Sequence, residues 1–156
     1  MKIGGTPMKR FCLVIFAILL CITGCNKHYK TMICTKEGHQ NDLKIDLTYT
    51  VSYRDDYVLT IKTDEKITSE NREALQTYKK NMEDIYSVYK DIAYYKYDIA
   101  IKGDTLHSRA HINYEKIDTD KILKIDPSNQ DLIKDGKVHI ADIASSYEAL
   151  GATCKK

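Results

Sequence analysis

Leu43 to Tyr53, LKIDLTYTVSY, alternates without a break. Leu43, Ile45, Leu47, Tyr49, Val51 and Tyr53 fall on one side, and Lys44, Asp46, Thr48, Thr50 and Ser52 on the other. Successive side chains of an extended chain point to opposite faces, so this pattern describes a half-buried antiparallel strand with one wet face. Tyr57, Leu59 and Ile61 continue the apolar set on odd numbers. Two hairpin strands share a buried face only if their paired residues match in parity, which calls for an odd-length loop. Arg54-Asp55-Asp56 as a three-residue loop would pair Tyr53 with Tyr57 and Val51 with Leu59.

Upstream, Thr31–Thr35 reads as a first strand and Gly38–Asp42 as the turn after it. Downstream, Thr68 or Ser69 can cap a helix, with Glu70 and Glu73 near its positive end. Leu75, Tyr78, Met82, Ile85, Tyr89 and Ile92 recur at spacings of three and four, one stripe of a long amphipathic helix. A second hairpin turns at Gly103-Asp104. It sets Ile101 opposite Leu106, Ile99 opposite Ser108, Tyr97 opposite Ala110 and Tyr95 opposite Ile112, and faces Asp98 with Arg109. Asp118–Ile125 suits a short helical turn, 126–136 a polar loop, and His139–Leu150 a closing helix with Gly151 just past its end. The order β-β-β-α-β-β-α defines an α+β fold: an antiparallel sheet of about five strands with both main helices on one face.

The N-terminal segment has a different character. Lys9 and Arg10 precede an apolar run, Phe11 to Cys21, and Ile22-Thr23-Gly24-Cys25 closes it. This order of charge, apolar core and small residues is that of a secretory signal, too short for a permanent span. Its end resembles the bacterial lipobox, which implies that Cys25 receives lipid and becomes the new N-terminus. An ordinary signal with a chance cysteine, or an uncleaved anchor, is the alternative. The expected organisation is a signal over 1–24, a lipidated tether over 25–30 and one domain over 31–156, and Met8 is a second candidate start. The expected location is the cell envelope, with the domain on the extracytoplasmic side and held to the membrane through Cys25. Stable anchoring of that kind needs two acyl chains.

The chain has 24 basic and 22 acidic residues, and Lys2, Lys9 and Arg10 leave with the signal. The remainder is near neutral, with no polybasic footprint for nucleic acid. Of five cysteines, Cys12 and Cys21 lie in the signal and Cys25 at the lipid position. Cys34 and Cys154 remain, and an even pair in an exported chain reads as a disulfide, against the alternative of two buried thiols.

The lipobox cysteine, Met32-Ile33-Cys34-Thr35, the strand Ile45–Tyr53, the central helix, Ile112-Asn113-Tyr114 and the ending Leu150-Gly151-Ala152-Thr153-Cys154-Lys155 occur together. In this combination the chain resembles the YehR-like bacterial lipoproteins of unknown function (the DUF1307-type domain). The resemblance implies location and fold, and brings no catalytic residue with it.

Candidate chemistry is sparse. His107 and His111 lie about 13 Å apart along a strand, too far for one metal. Asp126 to Asp131 lacks the turn glycine of a calcium loop, and Lys137 stands where a bidentate Glu belongs. No phosphate loop, GxSxG or HExxH occurs. No cofactor, metal or catalytic residue is therefore assigned, and the chain is not expected to be an enzyme. Twelve tyrosines and no tryptophan leave Tyr78, Tyr94, Tyr95 and Tyr97 as candidate ligand contacts, with aromatic core filling as the plainer reading. Two functions stand: a non-catalytic module for an envelope protein or wall component, or a sugar or peptide binder with a pocket between sheet and helix.

Overall fold

The computed structural model describes residues 28–156. The expected signal over 1–24 and the lipid position Cys25 lie outside the described residues. Three long strands come first: β1 Lys30–Gln40, β2 Leu43–Arg54 and β3 Tyr57–Thr68. Helix α1 (Arg72–Ser87) follows, then the hairpin β4 (Tyr95–Lys102) and β5 (Thr105–Asn113). Helix α2 (Thr119–Ile125), a 3-10 turn (Pro127–Asp131), the ribbon β6 (Ile133–Lys134) and β7 (Lys137–Val138), helix α3 (Ile140–Ala149) and strand β8 (Thr153–Lys155) complete the chain.

The main sheet is antiparallel and six-stranded, in the order β4-β5-β3-β2-β1-β8. Its sixth strand is the C-terminal tail, placed beside the N-terminal strand with Cys34 opposite Cys154. The two are joined as a disulfide, with Cα atoms 4.0 Å apart. One face carries the core: Met32 and Cys34 from β1, Val51 and Tyr53 from β2, and Ile61 from β3 pack with Ile122 of α2 and Ile140 and Ile143 of α3. A smaller cluster of Ile67, Leu75 and Leu106 joins α1 to β3 and β5.

The second hairpin has the expected register throughout, from Tyr95 opposite Ile112 to Lys102 opposite Thr105. Asp98 does face Arg109, yet among the described residues no ion pair closes between them within 4 Å. Helix α3 ends as expected: Gly151 adopts φ 88°, its N–H donates to Glu148 O, and Ala152 N–H donates to Tyr147 O. That left-handed residue past the last turn satisfies carbonyls the helix leaves open.

Other expectations are corrected. The first strand runs on to Gln40, leaving only Asn41-Asp42 as the turn. The first hairpin has a two-residue loop, Asp55-Asp56, with Arg54 opposite Tyr57 and Tyr53 opposite Val58. Leu59 is then the extra residue of a bulge, after which Ser52 meets Thr60 and Val51 meets Ile61. An even loop plus one bulged residue restores the parity that a three-residue loop would have supplied. Thr68 ends β3, and the α1 cap is Asn71, whose side chain accepts from Ala74 N–H. The helix stops at Ser87, so Tyr89 and Ile92 lie beyond it, and Tyr86 takes the inward place expected of Ile85, which is 58% exposed. The expected loop over 126–136 instead holds the 3-10 turn, capped by Asp126, and the start of the β6–β7 ribbon, which turns at Asp135-Gly136.

Candidate functional site

Helix α1 packs over β4 and β5, and α3 stands over the other end of the sheet, where Tyr147 stacks on Tyr49 with ring centroids 3.8 Å apart. Near the β1–β2 turn α1 covers the inner face only in part: Leu43, Ile45 and Tyr78 pack against the Leu75 cluster yet stay half-buried. A groove results, in two adjoining lobes of about 400 and 470 Å³ that share Gln40 and Tyr78. Leu43, Ile45 and Leu47, all half-buried, line it from β2. Thr77, Tyr78 and Asn81 of α1 form one wall, and Lys36 and Gly38 of β1 the other.

One transverse row of the sheet gives the groove its chemistry. Lys36 pairs with Leu47, Leu47 with Glu65, and Glu65 with Ser108. Glu65 therefore points to the apolar face from the middle of the sheet, at 8% exposure. Tyr78 donates its hydroxyl to Glu65 Oε1 at 2.9 Å. Among the described residues no Lys, Arg or His nitrogen lies within 4 Å of the carboxylate. Burial raises the Glu65 carboxyl above the usual range, and the Tyr78 hydrogen bond opposes that only in part. The phenols of Tyr49, Tyr78 and Tyr86 are raised in turn, by burial first and by the Glu65 charge second. Ser108 Oγ, fully buried at the end of the row, lies beside the Tyr86 phenol and partly offsets the rise of that phenol. A carboxylate ringed by phenols and lacking a counter-cation is costly to bury unless something else supplies the charge.

The four candidate tyrosines do not form one platform. Tyr78 alone lines the groove. Tyr95 and Tyr97 face inward as expected, but Tyr89 stacks on Tyr95 at 4.9 Å and Tyr86 on Tyr97 at 5.5 Å, filling the space between α1 and β4. Tyr94 faces outward at 49% exposure with φ 69°, and the Lys116 ammonium sits 5.6 Å from its ring centre. Glu65 was missed. Its signal was an acid at an inward position of β3, between Ile61 and Ile67 on the same parity.

The outer face of the sheet is polar. It carries the row Lys62, His111, Lys96 beside the row Asp64, Arg109, Asp98. His107 and His111 both lie here; burial, then Lys62 and Lys96, lowers the His111 imidazole.

The fold and the groove together define an α+β antiparallel-sheet domain whose helices, all on one face, leave part of that face open. Two solved structures are similar to it. One is the NMR structure of E. coli YehR, with a TM-score of 0.57 and 20% identity over 84% of this chain and 94% of that one. The other is the NMR structure of a protein from Streptococcus pneumoniae TIGR4, with a TM-score of 0.51 and 15% identity over 99% of this chain and 94% of that one. At such identities the likeness is one of fold. No family model matches the sequence, and no curated protein does.

Proposed function

We propose that this protein is a YehR-like lipoprotein of the bacterial envelope, tethered through Cys25, that binds a small ligand in the groove between α1 and the β1–β2 hairpin. The observation that carries the reading is Glu65: a buried carboxylate, held by Tyr78, beside an open groove to which Ile45 and Leu47 give an apolar floor, with no counter-charge within 4 Å among the described residues. A surface built only to pack would not keep such a group. The position of the groove fits a tethered binder. β1 starts at Lys30, a few residues after Cys25, and reaches the groove at Gly38–Gln40. At about 3.3 Å per residue that end of the strand lies roughly 30 Å from Lys30, a length that would hold the groove clear of a membrane. The near-neutral charge of the chain after the signal speaks against nucleic acid as the partner.

The polar outer face supports a second reading, an interaction module for another envelope protein. Photo-crosslinking in intact cells separates the two. A photoreactive residue replacing Thr77, at the groove wall, is expected to capture a ligand, and one replacing Lys62, on the outer face, is not. Capture of a protein at Lys62 alone would replace the groove reading with the module reading. Fatty-acid labelling that persists in Cys25→Ala would remove the tether from either.

A further inference from the structure

The geometry points to the class of ligand: we propose that the groove binds a protonated primary amine on an aliphatic stem, the chemistry of a lysine side chain, with Glu65 as its counter-charge. The inference rests on the groove being the ligand site. Three features of the groove lead to it.

The first is charge. Tyr78 occupies Glu65 Oε1 with a single hydrogen bond, and no other hydrogen bond or cation from the described residues reaches the carboxylate. A buried carboxylate so placed is best satisfied by a cation with N–H donors. A quaternary ammonium would bring the charge without the hydrogen bond to Oε2. The second is the lining. Leu47 adjoins Glu65 in the same transverse row, and Ile45 and Leu43 extend the apolar surface toward the mouth. A chain of methylenes lying along these residues is dehydrated on binding, at roughly 0.8 kcal/mol for each one buried. The Tyr78 ring, which lines both lobes, offers aromatic surface to the same cation. The third is the far wall. Lys36 lines the groove two strands away from Glu65, so a second positive charge on the ligand would meet a like charge there.

The probe is n-butylammonium, the lysine side chain without its backbone. It is titrated into the isotope-labelled full chain in detergent micelles, with butyrate, 1-butanol and N,N,N-trimethylbutylammonium as matched stems. The amides of Ile45, Leu47, Glu65 and Tyr78 are expected to shift with n-butylammonium. Butyrate and butanol should bind at least tenfold more weakly, and the trimethyl compound at least fivefold more weakly. Glu65→Gln, which keeps the shape and can still accept from Tyr78, should weaken n-butylammonium at least tenfold. Equal binding of butyrate or butanol at these amides would overturn the amine class while leaving the groove as a ligand site. Equal binding of the trimethyl compound would overturn the hydrogen bond to Glu65, a result that needs no variant to fold. If no probe moves the four amides, both the ligand class and the groove reading fail.

Discussion

Reducing the Cys34–Cys154 bond is expected to cost this domain about 3–5 kcal/mol of stability while leaving its fold in place. The two cysteines are 120 positions apart, so the bond closes nearly the whole domain into one loop. Chain-entropy arithmetic for a loop of that length gives about 5 kcal/mol at 25 °C, an upper figure because real denatured chains are already partly compact. The native side of the balance changes little. Cys34 is fully buried in the main core and, as a thiol, still packs as a small apolar group. Strand β8 contributes only three register pairs, so its fraying costs little beyond the cross-link itself. Equilibrium unfolding in urea, with and without reductant, measures the difference, and Cys34→Ala/Cys154→Ala repeats it without thiols. The dependence on urea should steepen after reduction, because an open chain exposes more surface than a looped one. A loss below about 1 kcal/mol with unchanged steepness would refute the account and place the effect of the bond outside the unfolded state.

Glu65→Gln should raise stability at neutral pH. The folded state holds the Glu65 carboxyl above its ordinary value of 4.5, so the wild type loses stability as pH climbs from there through the raised folded value. The advantage of the variant should vanish below about pH 4, where Glu65 is protonated in both states; a variant less stable than wild type at pH 7 would contradict this. Leu75→Ala empties the centre of the small cluster under α1, where Leu75 is fully buried, and should cost about 3 kcal/mol in thermal or urea unfolding. Gly151→Ala should cost about 1–2 kcal/mol from its backbone alone, since φ is 88° and an added Cβ meets only the Lys36 stem at 3.9 Å. No loss on that substitution would mean that the end of α3 adjusts freely.

The parts of this fold that can be read from the sequence are those where two local signals agree. In the β4–β5 hairpin the turn pair Gly103-Asp104, the alternation of Tyr95 to Ile101 and the opposite charges Asp98 and Arg109 all specify one register, and that register is observed. In the first hairpin only parity was available. Parity is satisfied equally by an odd loop or by an even loop with a bulge at Leu59, and no residue at Leu59 announces the bulge. The β6–β7 ribbon turns on Asp135-Gly136, both with positive φ, a pair that does mark a two-residue hairpin; its two-residue strands were too short to show a period. β8 was illegible for a related reason. Three residues carry no pattern, and only the pairing of Cys34 with Cys154 hinted that the tail lies beside the first strand.

The site follows the same logic in reverse. A tyrosine-rich sequence drew attention to Tyr95 and Tyr97, yet those rings are consumed by stacking on Tyr86 and Tyr89, so their number reflects packing between α1 and β4. The informative residue is the one that breaks a rule. Glu65 occupies an inward position of a central strand, flanked across the sheet by Leu47 and Ser108, where an apolar side chain would stabilise the core. Local patterning and fold agree over most of this face, and a buried acid beside an open groove is where function is expected to override stability. Which of the inward acids of a sheet opens onto a groove depends on where two helices leave a gap. Here that gap is set by α1 lying over β4 and β5 while α3 ends at Ala149, and no run of sequence encodes it.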